Sequence, residues 1–416
     1  AERILDRAKT ATAEPTRTAL NLFHLSTTAR YAGELRVNGL QDELCRRHAR
    51  LWTAGTNGLW RAQLTAIWLR AAGQLVFALA YVGAVLLVVQ EAVAGQRSVA
   101  DVVLVIALAG QVSAQVTLAV TLLQNLQRMA STFRRLGRLQ DAVRETGERQ
   151  ADQSPPDRLR TGIELAGVCF TYPGTQAPVF LDVHLTLPAG ATVAIVGENG
   201  AGKTTLVKLL CGFYRPTAGT ITADGTDLSR VPASDWRQRI AVGFQDFGRY
   251  EFLAQQTVGV GDLPRISSER AVRAGLDRAQ AASVVDQLAR GLSTQLGKSY
   301  ADGAELSGGQ WQKLALGRAM MREAPLLLVL DEPTSALDAE AEHALFSRYA
   351  EQARRIGAAT GAITVLISHR FSTVHMADLI VVVSDGGVAE TGDHAALMGS
   401  GGLYAELFGL QAKAYR

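Results

Sequence analysis

Two stretches of this chain run for about 20 positions each without a charged residue, the length that carries a helix across a hydrocarbon core of roughly 30 Å. They are residues 71–90 (AAGQLVFALAYVGAVLLVVQ) and residues 102–123 (VVLVIALAGQVSAQVTLAVTLL). A pair of buried helices in a soluble domain is the alternative, and two such runs side by side are uncommon in soluble chains. The slightly positive mean hydropathy agrees with a membrane segment. The link between the runs, EAVAGQRSVAD, is short and predicts an antiparallel hairpin. Arg46, Arg47, Arg50, Arg61 and Arg70 precede the first run, and Arg128, Arg134, Arg135 and Arg138 follow the second. The link sets only Arg97 against Glu91 and Asp101. Cationic flanks mark the cytoplasmic side, so both ends of the hairpin are expected there.

Upstream, residues 1 to about 60 carry scattered charge and read as cytoplasmic helix, with Gly33 and Gly39 as breaks. The opening stretch AERILDRAKTATAEPTRTAL is too charged for a signal peptide, and residue 1 is alanine, so a start in the middle of a longer protein is expected. The length of 416 residues suggests two or three domains, and a net charge of +3 gives no support for a nucleic-acid partner. Cys45, Cys169 and Cys211 lie far apart, which argues against zinc or a disulfide framework and for reduced thiols. Residues 141–160 (DAVRETGERQADQSPPDRLR) are polar, contain a proline pair and read as a linker. From 161 onward short β-rich runs, glycine turns and helices alternate. Residues 193–196 and 326–330 read as buried strands of an α/β sheet.

The chemistry sits in this second half. The strand TVAIV runs into Gly197, Glu198, Asn199, Gly200, Ala201, Gly202, Lys203 and Thr204, followed by Thr205 and a helix. This is G-x-x-x-x-G-K-[ST] between strand and helix. Its glycines let backbone N–H groups turn inward around phosphate oxygens at a helix N-terminus. Lys203 is placed to reach the β- and γ-phosphates, and Thr204 offers a hydroxyl to Mg²⁺. A second apolar strand, LLLVL, ends in Asp331 and Glu332. Two acids at a buried strand end are costly unless they meet a cation or water. Asp331 would hold Mg²⁺, and Glu332 would polarise the attacking water as general base. A helix cap is the plainer role for such a pair. Leu306 to Gln310 (LSGGQ) opens another helix, where Ser307 and the N–H groups of Gly308 and Gly309 make a second phosphate cradle. Two cradles and one acidic pair in one chain are best explained by a dimer. Each nucleotide is then sandwiched between the P-loop of one copy and SGGQ of the other.

In these motifs the chain resembles the ATP-binding-cassette family over residues 161–416. The resemblance implies that Tyr172 (FTYPG) stacks on adenine and that Gln245 (VGFQDF) senses Mg²⁺ or water and couples to the membrane domain. It implies that Asp331 and Glu332 are the Walker B acids, that Asp338 (SALD) touches the opposite subunit, and that His369 (ISHR) contacts the γ-phosphate. It extends upstream to the exporter subclass. GELRVNGLQDEL (33–44) looks like the cytoplasmic extension into the fifth membrane helix and GQRSVADVV (95–103) like the outer turn between helices five and six. LNLFHLSTT (20–28) would lie near a coupling helix. The expected organisation is therefore the C-terminal part of a transmembrane domain at 1–140, with membrane helices at about 64–90 and 99–124. A linker at 141–160 and a nucleotide-binding α/β domain at 161–416 follow.

Two features depart from the exporter pattern. That subclass has six membrane helices before its nucleotide domain, whereas two are clear here, so a fragment or a truncated product is expected. The stretch TQLGKSYADGAELSGGQ also lacks the usual exporter sequence before the signature, which leaves the coupling between domains open. Phe247 and Tyr250 in QDFGRYEF stand where contact with membrane-domain helices is expected, or pack within the helical subdomain. The implied function is hydrolysis of ATP with Mg²⁺ by a dimer with a second copy or a homologous half-transporter. It drives export of an unidentified substrate across the cell membrane, with lipid, peptide and drug all open and Gln111, Ser113, Gln115 and Thr117 as candidate pathway groups. The alternatives are a soluble or regulatory cassette ATPase without transport, or a partner-dependent subunit.

Overall fold

The structure, a computed structural model, describes residues 2–28, 31–94, 99–146, 152–332, 351, 354, 357–368 and 374–414. It divides into two compact units, Ala1–Ala142 and Val143–Arg416.

The first unit is helical: α1 (Glu2–Ala11), α2 (Ala13–Thr27), α3 (Ala32–Val37), α4 (Gln41–Val93) and α5 (Val99–Thr146). The uncharged runs lie inside α4 and α5, both apolar and long enough to cross a membrane. A helix satisfies its backbone groups internally, so such a segment is compatible with lipid. Leu75, Val76, Leu79 and Leu87 stand exposed along α4. Both helices outrun the spans expected at 64–90 and 99–124. At 1.5 Å per residue the 53 residues of α4 extend about 80 Å, well over twice a hydrocarbon core. The charged stretch 41–61 continues the helix because it contains no proline and is rich in helix formers. Glu43 also accepts from Arg46 and Arg47 one turn on. Gly33 lies within α3 rather than at a break, while Gly39 adopts φ +59° where the chain turns into α4. Helix α2 packs on α4 through a seam of small residues in which Ala19, Ala62 and Ala66 are buried. A Cβ on Gly58 would come within 2.8 Å of Thr12 Cγ2, so the approach needs glycine there.

The second unit carries two sheets. One is antiparallel, β1 (Gly162–Thr171), β2 (Pro178–Pro188), β4 (Ala218–Ala223) and β5 (Thr226–Asp227), in the order β2-β1-β4-β5. The other contains β3 (Thr192–Val196), β6 (Ile240–Gly243), β7 (Leu327–Asp331), β8 (Ile363–Ile367), β9 (Leu379–Ser384) and β10 (Gly387–Gly392). Its order is β10-β9-β3-β8-β7-β6, parallel except at β10. Strands β3, β7 and β8 are buried at every position, which is why they read as unbroken apolar runs without alternation. Helix α6 (Lys203–Leu210) follows β3 and α7 (Ala233–Gln238) precedes β6; a separate core forms around α8 (Ala254–Gly259), α9 (Glu269–Arg278), α10 (Ala282–Asp286) and α11 (Gly308–Ala319), and includes Val258, Leu276, Trp311 and Leu314. The fold class is therefore the one the sequence predicts: helices with two candidate spans, then an α/β P-loop domain.

The described parts of the stretch 141–160 hold regular contacts. Helix α5 runs on to Thr146, and residues 152–160 belong to the second unit. Asp152 pairs with Arg230 and Asp157 with Arg239. Leu159 is buried and its N–H donates to the Thr360 carbonyl. Asp224 accepts from the N–H groups of Arg160, Thr161 and Gly162. These charges are placed to pair with a surface, which a composition rule for linkers does not register. The three cysteines are free, Cys45 exposed and Cys211 buried.

Candidate functional site: a phosphate cradle facing an acidic strand end

Strands β3 and β7 flank β8, so their C-terminal ends bring the glycine loop and the acidic pair to the same edge of the sheet. The loop needs its glycines. Gly197 takes φ +149°, and a Cβ there would fall 2.2 Å from the Val383 carbonyl oxygen. Gly202 takes φ +107° as the N-cap of the helix Lys203–Leu210, and a Cβ there would meet the Phe180 ring at 2.9 Å. Lys203 folds back into this loop. Its Nζ donates to the carbonyls of Gly197 at 2.9 Å and Glu198 at 2.8 Å. Burial holds its pKa below the usual lysine value, against the pull of Glu332 and Asp331. An open cleft results, lined among others by Tyr172, Asn199, Gly200, Thr204, Gln245 and Glu332.

Gln245 follows β6, and its Nε2 donates to Glu332 Oε2 at 2.7 Å. The structure thus joins residues 87 positions apart in sequence. Thr204 is exposed to the cleft, whereas Thr205 is buried and shares a 2.9 Å hydrogen bond with the Tyr172 hydroxyl. Tyr172 also stands edge-on to Phe170 and Tyr214. Its ring is held from behind while one side lines the cleft.

Asp331 is 4 % exposed, and its carboxyl is pushed up to about 6. Burial is the first cause; the charges of Glu332 and Asp246 add to it, and Lys203 and Lys208 oppose it. The strand end carries more negative charge than these lysines balance, which a divalent cation would relieve. Among the described residues no cluster of three or more metal-ligating side chains forms a cage. Mg²⁺ needs no such cage, since it takes one or two protein ligands together with phosphate oxygens. A stability effect follows. With the folded pKa raised from 3.8 to about 6, the cost of ionised Asp331 is full above pH 6, shrinks as the pH falls from there and is gone only below the unfolded value. Asp331→Asn should therefore raise the melting temperature of nucleotide-free protein at pH 8 by a few degrees, equivalent to about 2 kcal/mol, and raise it by less than half as much at pH 4.5. Thermal unfolding at the two pH values checks this.

Ser307 caps α11 in a reciprocal capping box. Its hydroxyl accepts from the Gln310 N–H at 3.2 Å, and its own N–H donates to Gln310 Oε1 at 2.9 Å. Ser307 and Gly308 are exposed, and neither they nor Gly309 and Gln310 line the cleft of their own chain. The Gln310 side chain and N–H are engaged in capping, so the groups this cradle can offer a phosphate are the Ser307 O–H and the N–H groups of Gly308 and Gly309. Asp338 and His369 lie outside the described residues. Phe247 packs against the helical core. Tyr250 stacks with Phe252 under the Arg318 guanidinium, 4.2 Å from the ring centroid. These contacts match the packing alternative, and Tyr250 keeps an exposed face. Sequence reading overlooked Asp246 and the links Tyr172–Thr205 and Gln312–Glu332, the last a 3.3 Å bond from Gln312 Nε2 to the Glu332 carbonyl. No motif carries them.

Residues 180–335 match the family model described as ABC transporter, and this segment holds the P-loop, the signature and both acids. This segment is an ABC transporter domain. It is 34 % identical over 379 residues to an ATP-dependent lipid A-core flippase of Xylella fastidiosa strain 9a5c, covering 91 % of this chain and 62 % of that protein. A protein of the same name from Methylococcus capsulatus is 38 % identical over 264 residues, 64 % of this chain and 42 % of its own length. The chain thus spans less than two thirds of the flippases it matches. A solved structure described as a bacterial Atm1-family ABC exporter with ATP bound shares the fold. It gives a TM-score of 0.79 at 24 % identity, covering 98 % of this chain and 70 % of that one.

Proposed function

We propose that this chain binds and hydrolyses MgATP and uses the energy to move a lipid-like amphiphile outward across the cell membrane, as a dimer with a second copy or a homologous chain. The observation that carries the reading is the Glu332 carboxylate, held by Gln245 at the edge of the P-loop cleft. Lys203 binds the β- and γ-phosphates, and Tyr172 stacks on adenine. Thr204 and Asp331, with Gln245 beside them, would hold Mg²⁺, which neutralises phosphate charge when bound. Glu332 takes a proton from water as the water oxygen attacks the γ-phosphorus in line; the bond to the bridging oxygen breaks, leaving ADP and phosphate. Ser307, Gly308 and Gly309 of the other copy cover the γ-phosphate. His369 and Asp338 take the family's switch and cross-subunit roles. The arginine flanks support a cytoplasmic nucleotide domain, and the names of the relatives support a lipid-like cargo.

The experiment is phosphate release by the full chain in detergent with MgATP. Turnover that stops when EDTA removes the metal and returns on adding Mg²⁺ is expected. Saturable ATP binding without phosphate release would contradict hydrolysis and favour a regulatory, non-catalytic role.

A further inference from the structure

Glu332 adopts φ +47°, a left-handed conformation unusual for a residue with a long side chain. The other non-glycine residues with positive φ among those described are Asp182, Asp224, Asp385 and Gln280. Three of these are aspartates, whose short side chains tolerate that region. Glu332 instead is held from outside by three separate elements. Its N–H donates to the Ile367 carbonyl at the end of β8, at 3.0 Å. Its carboxylate accepts from Gln245 at 2.7 Å. Its carbonyl accepts from Gln312 Nε2 at 3.3 Å. Gln312 is among the few buried polar side chains of the described chain, 8 % exposed, and it lies on α11, the helix that Ser307 caps.

We infer that Gln312 is a positioning residue for hydrolysis: by holding the Glu332 carbonyl it keeps the backbone left-handed and the carboxylate aimed into the cleft. Without that donor Glu332, which precedes Pro333, can relax toward the extended backbone favoured before proline, and the carboxylate leaves the place set by Gln245. The same bond ties the acid to the helix whose N-terminus is the second phosphate cradle. Movement of that helix when a nucleotide of the other copy engages Ser307 then reaches this copy's own Glu332. The inference rests on the proposed role of Glu332 as base.

The test uses the full chain in detergent with MgATP and three variants. Gln312→Met keeps the side-chain length but removes the donor; Gln312→Glu sets an acceptor against the carbonyl; Glu332→Gln removes the base. Gln312→Met should lower kcat about 10- to 100-fold while KM for ATP stays within about twofold, since a misplacement of about 1 Å costs that much. Gln312→Glu should lose at least as much. In the Glu332→Gln background Gln312→Met should add nothing, because both act through one carboxylate. Wild-type kcat in Gln312→Met, or a further loss in the Glu332→Gln background, overturns the inference. Gln312→Glu supplies the same two readings if the methionine variant does not fold. Full turnover in Glu332→Gln alone would instead overturn the reading of Glu332 as base.

Discussion

Glu332→Gln should reduce phosphate release from MgATP roughly 10²- to 10³-fold and leave ATP binding intact, because it removes a proton acceptor and little else. The substitution is isosteric. The side-chain oxygen of glutamine still accepts from Gln245 Nε2, now 2.7 Å from the carboxylate, and the backbone bonds to Ile367 and Gln312 are unchanged. The groups assigned to the phosphates lie elsewhere, on the glycine loop and Lys203. Binding of a fluorescent ATP analogue, measured beside phosphate release, separates the two effects. A parallel loss of binding and turnover would mean that Glu332 supports the cleft rather than the chemistry.

Lys203→Ala acts on the other half of the site and should weaken ATP binding roughly 10- to 100-fold, the worth of a charge-assisted contact to phosphate. The Lys203 ammonium bridges the carbonyls of Gly197 and Glu198 in the loop itself. Its removal therefore costs both the cationic contact and part of the loop's rigidity. The loop glycines keep their tight approaches to Val383 and Phe180, so the cradle should persist. Titration calorimetry with ATP measures the affinity, and a melting temperature within a few degrees of wild type shows that the fold is kept. Unchanged affinity would remove Lys203 from the phosphate site.

The sequence announces those parts of the molecule in which chemistry demands particular residues in a particular order. The glycine loop is legible because Gly197 and Gly202 occupy places where any Cβ would collide with Val383 or Phe180. Strands β3 and β7 are legible because burial on both faces forces continuous apolar runs. What stays hidden depends on partners distant in the chain. Asp152 and Asp157 look like solvated linker charges until Arg230 and Arg239 meet them. The left-handed backbone of Glu332 has no signature, because it is imposed by Ile367, Gln312 and Gln245 together. Helices α4 and α5 run beyond the apolar spans because hydropathy finds the part suited to lipid, while the helix continues wherever propensity allows.

The central claim is that each ATP site is completed by SGGQ of another copy, and mixing two inactive variants tests it most directly. Lys203→Ala spoils the P-loop half. Gly308→Asp spoils the signature half: Gly308 opens α11, a Cβ there meets nothing within 4 Å, and an acid at a helix N-terminus favours the fold while repelling phosphate. Each variant alone should release almost no phosphate. Co-expressed and paired at random, they rebuild one intact site in each mixed dimer, from the P-loop of the Gly308→Asp chain and the signature of the Lys203→Ala chain. About one quarter of wild-type turnover should return, since half of the randomly paired dimers are mixed and each holds one working site. Mixed dimers that form, as shown by differential tags, and yet remain as inactive as either variant alone would contradict the shared site.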